Sequence, residues 1–139
     1  NIENTVINDD SEYKGYALSV ANGTAVINSG IFNLNEINNM EDEEAISYLS
    51  SLKGIGRWTA EMVLLFCLQR KNIFSYNDLA IQRGLKMIYH HKKITKDLFE
   101  KYRRRFSPYC SVASLYIWYV SGNRCKDIKL DKNGFVIYK

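Results

Sequence analysis

Proline is almost missing from this chain: Pro108 is the single one in 139 residues, so little interrupts regular backbone and helices have room to run. Histidine and cysteine are scarce as well. The two histidines, His90 and His91, are adjacent and followed by Lys92 and Lys93; neighbouring side chains diverge on most backbones, and with no third ligand near them the pair reads as solvated loop and not as a metal site. Three cysteines, Cys67, Cys110 and Cys125, are an odd number, far apart and without CxxC spacing. That excludes a disulfide framework and a cysteine-based metal site, and they read as reduced thiols of an intracellular protein. Long apolar runs are lacking too. Stretches such as Met62 to Leu68 and Val112 to Val120 fall far short of the roughly 20 residues a bilayer span needs, so no membrane segment is expected. The polar, acidic Asn1 to Asp10 has neither the charged nor the apolar region of a secretory signal.

What the chain does have is apolar mass and a divided charge. Hydrophobic residues make up 46% and aromatic ones 13%, ample for one buried core, so residues 1–139 are expected to form a single domain. The net charge of +4 conceals an asymmetry. Residues 1–50 carry one basic residue, Lys14, against nine acidic ones, whereas residues 51–139 carry the other 18 basic residues against six acidic, a net of +12. Such a surplus suits a polyanionic partner, because each phosphate neutralised releases condensed counterions. A merely soluble basic surface is the plainer alternative.

Several stretches place apolar residues at i, i+3, i+4 and i+7, and alternating strand patterns are few, which predicts an all-α fold. A first helix is expected over about 12–27, with Tyr16, Val20, Ala21 and Ile27 on one face and Ser29-Gly30 closing it. A second is expected over Glu41 to Ser51. Its four leading acids, Glu41 to Glu44, suit the positive end of a helix dipole and read as structural, while Ala45, Tyr48, Leu49 and Leu52 face inward. Lys53-Gly54-Ile55-Gly56 breaks the pattern, and a further helix runs from about Arg57 to Gln69. Helices follow at Asp78 to Tyr89, near Thr95 to Phe106, and at Tyr109 to Ser121. The tail, residues 123–139, is charged and weakly patterned; Gly134 to Tyr138 is either a short strand or an ordered extension.

The glycine turn between two helices is the first feature with chemistry in it. Gly54 and Gly56 permit positive φ and take away side chains that would hold off an approaching strand. The amides that begin the following helix lack partners and carry partial positive charge, which makes an anion site out of backbone alone. Ile55 would plug the hairpin into the core. A plain helix connector is the bland reading of the same residues.

Extended by Trp58-Thr59-Ala60, the hairpin of about residues 41–70 resembles the helix-hairpin-helix motif of the HhH-GPD DNA glycosylase superfamily, in particular the 3-methyladenine glycosylase II branch. Ile73 to Arg83 is similar to the loop that carries that family's catalytic aspartate, here Asp78, 20 residues beyond Trp58. Pro108-Tyr109 to Tyr119 is similar to the branch's helix after a proline-aromatic step. The resemblance covers about residues 11–122 and implies a helical glycosylase fold lacking part of its N-terminal half, since relatives usually carry a long region before the segment like Ser11 to Lys14.

Cutting an N-glycosidic bond builds positive charge on the sugar, so the site needs a carboxylate beneath the anomeric carbon. The resemblance gives that role to Asp78, which also stands where an N-cap would fix its orientation; a plain capping aspartate is the alternative. Bifunctional members have lysine at position 58 as an attacking amine. Trp58 in its place implies hydrolysis by water without strand cleavage. By the same resemblance Trp58, Tyr109, Met62 and Leu79 line the base pocket, where aromatic rings attract cationic alkylated bases. Gly54, Ile55, Gly56, Arg57 and Thr59 are the candidate contacts to the DNA backbone. The four-cysteine iron-sulfur cluster of some relatives cannot be built here, so neither metal nor cofactor is expected. The basic run Lys101, Arg103, Arg104 and Arg105 reads equally as phosphate contact or solvated helix face. The expectation is thus a monofunctional glycosylase of alkylated bases in base excision repair. It would act as a monomer on damaged double-stranded DNA, without a membrane, cytoplasmic and nucleoid-associated in a bacterium. The alternative is a noncatalytic helix-hairpin-helix module that only binds duplex phosphate.

Overall fold

The backbone is mostly helical in a computed structural model that describes residues 18–21, 24–27, 34–122 and 127–138. It divides into two units, Asn1–Arg70 and Lys71–Lys139, and each is described by itself.

The first unit begins with strands. β1, Leu18–Ala21, and β2, Thr24–Ile27, pair antiparallel, with Leu18 opposite Ile27 and Ala21 opposite Thr24. This overturns the helix expected over 12–27. The pairing leaves two residues between the strands, and in sequence they are Asn22-Gly23, the dipeptide that favours a tight hairpin; Val20, Thr24, Val26 and Ile27 add β-branched character. The rest of that expected helix, and its closing Ser29-Gly30, lie outside the described residues. A single helical turn, α1 (Leu34–Ile37), buries Ile37. Next, α2 (Asp42–Ser50) has three acids in its first turn and buries Ala45, Ile46 and Leu49, with Leu52 buried just beyond. α3 (Arg57–Met62) runs on into a π-helical turn, Val63–Cys67. The unbroken helix expected to Gln69 therefore widens: Leu68 N donates to Val63 O at 3.1 Å, and Gln69 takes φ 52°. Met62 to Cys67 is apolar throughout, so its pattern sets no 3.6-residue period, and the wider turn buries Val63, Leu64 and Leu65 in succession. Arg70 ties the ends of this unit together, donating to Ile37 O (2.6 Å), Met40 O (2.8 Å) and Asp42 Oδ1 (3.2 Å).

In the second unit α4 (Leu79–Tyr89), α5 (Lys96–Phe106) and α6 (Cys110–Ser121) fall within one or two residues of where the apolar spacing puts them. They enclose a core of Phe74, Ile81, Leu85, Ile94, Phe99, Tyr102, Cys110 and Ile117. α4 and α6 approach closely at Gly84, where an added Cβ would stand 2.7 Å from the Ile117 carbonyl oxygen. The loop ahead of α4 is pinned to α6: Ile73 N donates to Ser111 Oγ at 3.0 Å and Ser114 Oγ donates to Ile73 O at 3.2 Å. Ser107-Pro108 is a cis peptide.

Residues 127–138 of the tail form an ordered extension. Leu130 and Val136 form an isolated antiparallel bridge, Asp131 Oδ1 accepts from Asn133 N and Phe135 N, and Val136 N donates to Met87 O at 2.9 Å. These contacts correct the reading of the histidine pair as solvated loop. His90, the left-handed cap of α4 (φ 58°), donates from Nε2 to Val136 O at 2.7 Å and stacks on Phe135 and Tyr138. His91 Nε2 lies 2.6 Å from Tyr102 Oη. Both rings are structural clamps.

Candidate functional site

The glycine hairpin joins α2 to α3. Leu52 O accepts from Ile55 N at 3.1 Å, and Gly54 takes φ 85°, which a side chain would strain. Gly56 is the N-cap of α3 in extended backbone, and a Cβ placed on it would meet nothing within 4 Å. No capping side chain bonds to the first-turn amides. The hairpin is thus open at its tip, with Gly54 and Gly56 exposed and Ile55 and Thr59 half-buried.

Arg57 opens α3, with its side chain 49% exposed. Its guanidinium grips Glu43 of α2 with both arms, at 3.0 and 2.7 Å, and its Nε lies 3.8 Å from the buried Glu61. The bond to Glu43 is the main reason its pKa is raised. A bidentate pair of this kind braces two helices, and it places two carboxylates beside the cation. Trp58, 47% exposed, and the half-buried Met62 stand one helical turn apart on the same face of α3.

In the second unit the candidate carboxylate is Asp78. It is the N-cap of α4, with its backbone extended, and its Oδ1 accepts from Ala80 N and Ile81 N, each at 3.0 Å. A third donor reaches the same oxygen: Trp118 Nε1 at 3.1 Å, from α6. The carboxylate is thereby fixed by two amides and an indole, and only 8% of the residue is exposed. Charge-assisted bonds of this number, with the positive end of the α4 dipole, stabilise an anion and hold it in one orientation. Trp118 is the candidate site residue that sequence reasoning missed, for it lies 40 positions from its partner and no local pattern marks the contact.

The remaining candidates lie on the surface. Leu79 follows Asp78 directly and is 79% exposed, and Tyr109 is 62% exposed at the start of α6. Tyr109 precedes Trp118 by nine positions, about 13 Å along the helix. Among the described residues no three histidine, cysteine or carboxylate side chains gather as metal ligands, and no helix is long and apolar enough to cross a membrane.

No family model matches the chain. Curated relatives do. DNA-3-methyladenine glycosylase 1 of Schizosaccharomyces pombe is 37% identical over 87 residues, 62% of this chain and 38% of that protein. YfjP of Bacillus subtilis, provisionally named a DNA-3-methyladenine glycosylase, is 36% identical over 94 residues, 67% of this chain and 33% of that one. Among solved structures, a DNA-3-methyladenine glycosidase from Bacillus halodurans matches with a TM-score of 0.60 at 33% identity, over 69% of this chain and 45% of the other. The 3-methyladenine DNA glycosylase Mag1 of S. pombe, in complex with abasic DNA, matches with 0.59 at 33% identity, over 68% and 46%. The chain therefore spans between a third and a half of these four proteins, and over that span it shares sequence and helical fold with DNA-3-methyladenine glycosylases.

Proposed function

We propose that this chain is the catalytic portion of a monofunctional DNA glycosylase that hydrolyses the N-glycosidic bond of alkylated bases, with Asp78 as its catalytic carboxylate. The observation that carries the reading is the fixing of Asp78: a buried carboxylate tied by two helix amides and the Trp118 indole. As the base departs, positive charge grows at the anomeric carbon, and an anion already oriented needs no reorganisation to stabilise it. The carboxylate so held is the group assigned to the sugar and to the attacking water. Similarity to glycosylases over two thirds of the chain supports the same assignment.

The other roles follow from it. Trp58, Tyr109, Leu79 and Met62 supply apolar surface for a base swung out of the helix, and the aromatic rings favour a base made cationic by alkylation. Gly54, Gly56 and Thr59 meet the sugar-phosphate backbone through main-chain amides, and Ile55, whose own amide is bonded to Leu52 O, holds the turn that presents them. Arg57 serves that contact indirectly, by holding α3 against α2. With tryptophan at position 58, water is the nucleophile and the product is an abasic site in an uncut strand. Borohydride treatment is expected to trap no covalent adduct.

Asp78→Asn tests the assignment cleanly, because asparagine is an equally good N-cap and the helix keeps its start. Wild-type protein is expected to release methylated bases from alkylated duplex DNA; the variant loses roughly 100-fold or more in rate, in the range of a lost transition-state electrostatic contact, while DNA affinity stays within about twofold. Equal release by the two proteins removes Asp78 from the chemistry. A second reading is a DNA-binding module without catalysis, resting on the glycine hairpin alone, whose tip is open. Duplex binding with no release from the wild type is its signature.

A further inference from the structure

Away from Asp78, the C-terminal half of α4, the end of α6 and the tail border an open cavity of about 960 Å³. Asp78 is not among its lining residues, of which Arg83 stands nearest to it in sequence, five positions on, about 7.5 Å by helical rise. Its lining includes Arg83, Lys86, Met87, His91, Lys92 and Phe135, and no carboxylate among the described residues. The volume is that of a small-molecule site.

The charge is unbalanced. Among the described residues, ion pairs occupy Arg57, Arg70 and Arg103, whereas none involves Arg83, Lys86 or Lys92. Arg83 donates from Nε to the Ser121 hydroxyl at 2.8 Å, which orients the guanidinium without cancelling it. Asp131, the acid nearest in sequence to the lining residues Leu130 and Asn133, is turned to the amides of Asn133 and Phe135. Uncancelled cations in a concavity focus positive potential. Beside them Phe135 presents an aromatic ring that is held in place by stacking on His90, centroids 5.1 Å apart and nearly parallel. Cations with a fixed aromatic surface match a nucleotide: phosphate against the former, base against the latter.

We propose that this cavity binds a nucleotide unit through its phosphate, presented either by a DNA strand or by a free mononucleotide. The inference goes beyond the glycosylase reading and rests on no step of it. In the test, the isotopically labelled chain is titrated with adenosine monophosphate and, separately, with a short undamaged DNA duplex, and amide resonances are followed by NMR. The Gly122 and Gly134 amides shift with at least one probe. The double variant Lys86→Gln/Lys92→Gln weakens binding of that probe about tenfold, and for the duplex the slope of log affinity against log salt falls by about two. Lys96→Gln, an exposed change at the start of α5, leaves both probes unaffected, and matching circular dichroism melts establish that the variants are folded. Loss confined to the duplex identifies a strand as the source of the phosphate; loss confined to the monophosphate identifies the free nucleotide. The proposal is overturned if neither probe moves those amides, or if the double variant binds both probes as the parent does. Base release is assayed on separate samples, so its absence counts against the glycosylase reading and leaves this site standing.

Discussion

At Asp78, three donors converge on one carboxylate oxygen from two helices, and the indole is the only one of them that belongs to a side chain. Trp118→Phe removes that donor and retains most of the packing. A hydrogen bond to a charged group contributes about 1.5–3 kcal/mol, so the variant is expected to lose roughly 10–100-fold in kcat for base release. KM is expected to hold, since the bond positions the acid and does not touch DNA; a change in KM alone would count against a positioning role. Cys110 illustrates burial acting on a different group. Its thiol is fully buried and pushed up to about 11 from the ordinary 9.0 by loss of hydration. The folded state thus holds this proton more tightly than the unfolded state, so the associated stability is intact below about pH 9 and is lost as pH rises through about 11. Tyr102 and Tyr138 are shifted upward by burial as well, in the same sense. Urea midpoints are therefore expected to fall between pH 9 and 11, and Cys110→Ala is expected to shallow that fall; an unchanged slope would exclude the thiol.

Among elements, α4 and α5 were legible because amphipathic spacing and capping residues agree: Asp78 and Thr95 each accept first-turn amide bonds at the start of a strongly patterned helix. α6 has no capping side chain and is apolar on most sides, and its long apolar run after Pro108 marked it instead; α2 was marked by its acidic entry. The N-terminal strands were misread since sparse apolar positions over 12–27 fit a helix about as well as a strand, and Asn22-Gly23 was the signal that decided between them. The π turn was beyond periodicity, in a stretch apolar on every side. Contacts far apart in sequence were also hidden: Trp118 on Asp78, Glu43 on Arg57, Val136 on His90. Within the second unit the α4–α6 crossing rests on Gly84. Alanine there would improve helix propensity by about 1 kcal/mol, but its Cβ would crowd the backbone of Ile117, which α6 cannot yield without shifting. Overpacking of this sort costs roughly 1–3 kcal/mol. Gly84→Ala is expected to lower the urea midpoint, and an equal or higher midpoint would show that α6 gives way.

Over the whole molecule, charge is partitioned so that residues 51–139 carry a net of +12 and residues 1–50 a net of −8. Duplex binding is accordingly expected to weaken steeply with salt, by at least about tenfold between 50 and 200 mM; a flat profile would rule out phosphate contacts as the source of affinity. Arg57→Ala is expected to affect thermal stability more than duplex affinity, because Glu43 and Glu61 surround its charge. The docked tail has a further consequence. Lys132 sits exposed in the turn, while Leu130 and Val136, on either side of it, are bridged to each other and Val136 is bonded to Met87. A protease that cuts after Lys132 would nick the chain without releasing the severed peptide, which would co-purify with the remainder until denaturant dissolved the bridge.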